Sequence, residues 1–195
     1  MDKEEPRNNS FLPITSISSG RYHTIAVLSD GSVYSWGNNY NHVLGIRSSR
    51  EVLKEPCKVE LEDVKEVRCG SHHTLALTED GRVYGWGVNN SGQLTENSVH
   101  VAFASQTTRN AIEIPTEIII EGTGVFCEIA CGGDHSMVRD DCGNVYTFGN
   151  NSFGQLGYTA GERPENHFYK VELPNPASKI YSYGSSSFAL LRDGS

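Results

Sequence analysis

The sequence predicts an all-β protein, a β-propeller with about three and a half four-stranded blades in an incomplete ring. Three observations carry this. A 21-residue segment recurs at 17–37 (ISSGRYHTIAVLSDGSVYSWG), 67–87 (VRCGSHHTLALTEDGRVYGWG) and 129–149 (IACGGDHSMVRDDCGNVYTFG), with a shorter copy at 180–195 (IYSYGSSSFALLRDGS). The first glycines of the copies, Gly20, Gly70, Gly132 and Gly184, are spaced by 50, 62 and 52 residues, which suits one four-stranded unit per repeat. Each copy also breaks its apolar residues into runs too short for helices.

Taken in order, residues 1–13 are polar, charged and carry Pro6, and read as a disordered N-terminal tail ahead of repeats spanning 14–195. In each copy an apolar run (TIAVL from Thr24, TLAL from Thr74, SMV from Ser136, FALL from Phe188) ends at a turn glycine: Gly31, Gly81, Gly143 or Gly194. Three copies continue into VYSW, VYGW or VYTF, so each pair of runs predicts a hairpin in which glycine supplies the positive φ of the turn. The runs are nearly continuously apolar, as in sheets covered on both faces. Gly37, Gly87 and Gly149 follow, then Asn39, Asn89 and Asn151, whose amides are expected to cap exposed backbone groups. Further strands fit near 55–60, 115–120 and 168–173, and near 64–69, 126–131 and 179–183.

Composition narrows the function. At 195 residues, 37% hydrophobic and 21% charged, the chain is long enough to bury a core. A net charge of −8 with scattered Lys and Arg argues against direct nucleic-acid binding through phosphates. No apolar run is long enough for a membrane span, and MDKEEPRNNS lacks the blocks of a signal peptide, so the expected location is intracellular, cytoplasm or nucleus. Cys57, Cys69, Cys127, Cys131 and Cys142 are an odd count and read as buried free thiols.

The Gly-x-x-His-Thr/Ser start, the Asp-Gly hairpin and the aromatic-Gly-x-Asn-x-x-Gly-Gln-Leu-Gly tail resemble the regulator of chromosome condensation repeat family of seven-bladed propellers. The tail is complete in the third copy, FGNNSFGQLG, and departs at Thr95 in the second and at His42 and Val43 in the first. In the fourth, Ser187 stands where histidine is expected. The resemblance covers roughly 14–195 and implies seven blades, so the sequence reads as a piece of, or a derivative of, a longer chain, with self-association through open propeller edges as the alternative.

Comparison of the copies separates building residues from candidates for function. Gly20, His23, Gly31 and Trp36, with Gly70, His73, Gly81 and Trp86 and with Gly132, His135, Gly143 and Phe148, recur and are read as structural, each histidine having both nitrogens satisfied. The preceding rim pairs vary: Arg21-Tyr22, Ser71-His72, Gly133-Asp134 and Ser185-Ser186. Tyr22, His72 and Asp134 are therefore candidate partner-binding residues. His72 and Asp134 also resemble loop residues that contact the small GTPase Ran in exchange factors of this family. About twelve residues that are extra relative to the other copies lie between Leu94 and Pro115, a stretch that offers Val101, Phe103 and Ile112 as contacts, and 158–167 reads as an exposed connection.

Cys127, Cys131, His135 and Cys142 suggest zinc, but Cys131 and His135 repeat Cys69 and His73 at equal spacing, so no metal is expected. No nucleophile elbow or phosphate loop occurs, and neither catalysis nor a cofactor is expected. The expected function is a non-catalytic protein–protein interaction module. The alternatives are a guanine-nucleotide exchange factor for a Ran-like small GTPase and the substrate-recruiting propeller of a ubiquitin-ligase-type protein.

Overall fold

The computed structural model describes residues 12–94, 111–121, 124–159 and 168–195. Strands β1 (Ile14–Ser19), β2 (His23–Leu28), β3 (Val33–Asn38) and β4 (Val52–Val59) form one antiparallel sheet in sequential order. The second sheet is β5 (Val64–Cys69), β6 (His73–Thr78), β7 (Val83–Val88) and β8 (Ala111–Glu117). The third is β9 (Phe126–Cys131), β10 (His135–Asp140), β11 (Val145–Gly149) and the two-residue β12 (Tyr169–Lys170). β13 (Ala177–Tyr183) and β14 (Ser186–Leu191) form a half-blade. The expected strands are therefore present, with β4 and β8 starting earlier than 55 and 115 and β12 shorter than 168–173. Among the described residues no helix is long and apolar enough to cross a membrane.

The hairpins form as the turn chemistry requires. Gly31, Gly81, Gly143 and Gly194 have φ of 79°, 82°, 91° and 87°, a conformation that a side chain would strain. Successive first strands β1, β5, β9 and β13 lie against one another, so sheets stack face to face. Every residue of β6 is buried. β14, on the last sheet, alternates between exposed and half-buried positions before Leu191. One apolar core, including Ile25, Leu75, Trp86, Leu94 and Phe148, runs through the first three blades, and a smaller one around Met137 and Ile180 joins the third to the fourth.

The asparagines cap as expected. Asn39, Asn89 and Asn151 each accept a hydrogen bond at Oδ1 from the backbone N–H five residues on, Leu44 (3.2 Å), Leu94 (2.8 Å) and Leu156 (3.0 Å). Asn89→Ala leaves a buried amide without this acceptor and is expected to lower stability by about 1–2 kcal/mol, measured by urea unfolding.

Trp86, on the third strand of the second blade, packs on the loop of the blade before it. Trp86 Nε1 donates to the Val43 carbonyl at 2.9 Å, and Gly45 makes room, since a Cβ there would lie 2.8 Å from Nε1. Trp36, on the first blade, is half-buried.

Candidate functional site

The recurring histidines are inter-blade latches. His23 Nε2 meets Thr74 Oγ1 (3.2 Å), His73 Nε2 meets Ser136 Oγ (3.0 Å) and His135 Nε2 meets Ser187 Oγ (2.9 Å), in each case on the next blade. Those hydroxyls donate in turn to Val43, Gln93 and Gln155, carbonyls of the loop on the histidine's own blade. A hydroxyl that has given its proton away must accept from the ring, which puts the imidazole proton on Nε2. The expectation that both nitrogens are satisfied fails: Nδ1 of His73 and of His135 is buried without a hydrogen-bond partner. The ring edge lies against the first glycine, where a Cβ on Gly70 would fall 2.1 Å from His73 Cε1 and 2.3 Å from Nδ1, so no donor fits. Burial holds all three rings neutral, lowering His23 and His135 to about 4 and His73 to about 3.

These contacts correct the alignment of the fourth copy. Ser187 pairs across the hairpin with Ser182 as Ser136 pairs with Cys131 and Thr74 with Cys69, so it holds the hydroxyl position of the latch. The histidine's place belongs to Ser186, and that of the first glycine to Tyr183. The sequence carries the signal: the first and turn glycines are eleven residues apart in three copies, and Gly184 and Gly194 are ten apart. Without an imidazole to pass, the chain there tolerates a tyrosine that is 85% exposed. The fourth rim pair is accordingly Gly184-Ser185.

The cysteines divide. Cys69 and Cys131 direct Sγ at the Ser18 and Arg68 carbonyls of the preceding blade, and burial raises both thiols, Cys69 to about 11. Cys57 and Cys127 are half-buried and Cys142 is exposed, because it sits on a hairpin turn. Cys127, Cys131 and His135 face three different partners, Arg139, Arg68 and Ser187. Among the described residues Asp140, Asp141 and Cys142 have ligand-type atoms within 4.8 Å of one another, and the Asp140 carboxylate accepts from Asn144 N and Nδ2, both at 2.8 Å.

The rim residues are held alike and differ only in side chain. The carbonyls of Tyr22, His72 and Asp134 accept from Asn38 (2.9 Å), Val88 (2.7 Å) and Asn150 (2.9 Å), and a Cβ on Gly37, Gly87 or Gly149 would collide with each carbonyl. A backbone chain runs along this rim, from Arg21 N to Ser71 O, Ser71 N to Gly133 O and Gly133 N to Gly184 O, at 3.3, 3.0 and 2.7 Å. It brings Tyr22, His72 and Asp134 together as walls of one open groove of about 690 Å³. Tyr22 is 61% exposed, with the Arg21 guanidinium 5.2 Å from its ring centroid. Asp134 is exposed and His72 half-buried.

Of the other candidates, Ile112 is buried in β8 opposite Gly87 and belongs to the core, so it is not offered to a partner. Val101 and Phe103 lie outside the described residues, as do residues 1–11 and 160–167. Tyr40, half-exposed beside Asn39, also lines the groove. Comparison of the copies could have found it, since Tyr40, Asn90 and Ser152 vary at one position.

Models of the regulator of chromosome condensation (RCC1) repeat match residues 30–77 and 80–139, and in a second form 14–43, 64–93 and 126–155. The chain belongs to the RCC1 repeat family. It is 35% identical over 204 residues to human Protein RCC2, covering 93% of the chain and 38% of that protein. It is 34% identical over 152 residues to human "Probable E3 ubiquitin-protein ligase HERC6", covering 76% of the chain and 14% of that protein. The chain thus spans well under half of these relatives. Yeast RCC1 (Prp20), solved bound to Kap60, superposes with a TM-score of 0.79 at 22% identity, over 95% of this chain and 43% of that one. This last likeness supports the RCC1 propeller fold alone.

Proposed function

We propose that the chain is a non-catalytic protein-interaction module of the RCC1 repeat type and that the groove walled by Tyr22, His72 and Asp134 receives the partner. One observation carries this reading: the three residues that precede the latch histidines differ from blade to blade, yet converge on a single open surface. A cation-supported tyrosine, an imidazole and a carboxylate there suit a polar, mixed-charge protein surface. Photo-crosslinking residues placed at Tyr22 and, as a control, at Arg82 on the opposite ends of the strands test it. Partner capture in cells is expected at position 22 only, and equal capture at both would remove the assignment.

The second reading, guanine-nucleotide exchange on a Ran-like small GTPase, draws on Asp134 in its Gly-x-Asp-His context and on the solved Prp20p of Saccharomyces cerevisiae, whose binding to Gsp1p and histones is described. Exchange needs a surface that prefers the nucleotide-free GTPase, because linkage then lowers nucleotide affinity. In that case Asp134→Ala and His72→Ala are each expected to slow release of labelled GDP at least about tenfold, the scale of a lost hot-spot contact. No acceleration by the unaltered chain at micromolar concentration would exclude exchange on the GTPase tested.

A further inference from the structure

We propose that the outer cleft between the first and second blades binds a phosphorylated serine or threonine side chain of a partner protein, with Arg47 and Arg50 as its clamp. The cleft, of about 480 Å³, opens between β4 and β8, the last strands of those sheets, and shares no residue with the rim groove. Arg47, Arg50 and Lys58 border it with one carboxylate, Glu60, on a chain whose net charge is −8. Among the described residues neither arginine forms an ion pair, and Lys58 reaches the exposed Glu62 only at 3.8 Å.

Both arginines stand on a loop tied at its two ends. It starts at Gly45, packed against Trp86, whose indole N–H donates to the Val43 carbonyl at 2.9 Å, and it closes where the Glu51 carbonyl accepts from the Asn39 N–H at 2.7 Å. Between them Ser48 Oγ accepts from the Arg50 N–H at 3.1 Å, which leaves its own proton for a ligand. The cations are peculiar to the first copy: Gly45 is followed by Ile46-Arg47-Ser48, Thr95 by Glu96-Asn97-Ser98 and Gly157 by Tyr158-Thr159-Ala160. A phosphomonoester brings roughly two negative charges and three acceptor oxygens, enough for two guanidinium forks and a hydroxyl, whereas one fork already fills a carboxylate. Ile46, Leu53 and Ile114 add apolar lining beside the cations, which suits a residue flanking the phosphorylated one and which a free phosphate ion does not use. Strand addition is blocked, because Pro56 and Pro115 stand in bulges of β4 and β8 and each removes a main-chain donor. Recognition therefore rests on side chains.

The test follows the NMR shifts of the isotope-labelled 195-residue chain during titration with the peptide Gly-Leu-phosphoserine-Leu-Gly, with its serine and glutamate forms, and with inorganic phosphate. Saturable shifts are expected at Arg47, Ser48, Arg50 and Lys58 with the phosphopeptide, at an affinity at least about tenfold above that of the other probes. Arg47→Gln and Arg50→Gln should each weaken it at least about tenfold, the scale of a lost charge-assisted hydrogen bond, and Lys170→Gln on β12 should leave it unchanged. Both arginines are exposed, so these variants are expected to fold as the unaltered chain does. Absence of saturable shifts, shifts centred elsewhere, equal affinity for the glutamate peptide or for inorganic phosphate, or full affinity in both arginine variants would each overturn the proposal.

Discussion

Gly70→Ala is expected to lower the unfolding free energy by about 3 kcal/mol, the upper range for overpacking a buried site. The new methyl group would stand 2.1 Å from His73 Cε1 and 2.6 Å from the Gly132 carbonyl, so it opposes the latch and the rim chain together. The fourth copy indicates how the loss is relieved: Tyr183 holds the glycine's place and Ser186 the histidine's. Adding His73→Ser to Gly70→Ala should therefore cost less than the sum of the two single changes in a double-mutant cycle. Full additivity in urea unfolding would show that the ring and the glycine are not coupled.

Acid is expected to destabilise the chain as pH falls below about 6.5. His23, His73 and His135 protonate near 6.5 when unfolded, but burial lowers them to about 4, 3 and 4 in the fold. Mutual repulsion adds to burial at His73, whereas the Asp134 charge pulls His135 slightly the other way. The unfolded state thus binds more protons between these limits, so the stability due to neutral latches is whole above about pH 6.5 and drains as pH falls towards 4. Each histidine contributes a slope of up to about 1.4 kcal/mol per pH unit. His73→Gln, which keeps a donor, should remove about a third of the slope across urea unfolding at pH 7, 6 and 5. A flat profile over that range would contradict the buried neutral latches.

Much of the architecture was legible because each strand carries its own local instruction. The hairpin glycines, the capping asparagines and the VYxW strands act over a few residues, and the structure places them as their chemistry requires. Alignment of the fourth copy on Gly184 hides a one-residue deletion, which the ten-residue spacing of Gly184 and Gly194 hints at and the Ser182–Ser187 and His135–Ser187 contacts fix. Ile112 looked available in a long insertion, but the end of that insertion is β8, which pairs with β7 and turns Ile112 inward. The difference between repeated and variable residues pointed to Tyr22, His72 and Asp134 without showing that they meet. Their convergence depends on how three blades stack, which no single repeat encodes.

The central claim is that repeated residues build the array and variable rim residues are free to serve a partner. His72 and His73 are chain neighbours assigned opposite roles, so urea unfolding of His72→Ala and His73→Ala, side by side at pH 7.5, tests it most directly. His73→Ala should lose about 2–4 kcal/mol through a broken latch and a buried cavity, and His72→Ala should stay within about 0.5 kcal/mol of the unaltered chain. Equal losses, or the reverse order, would contradict the account.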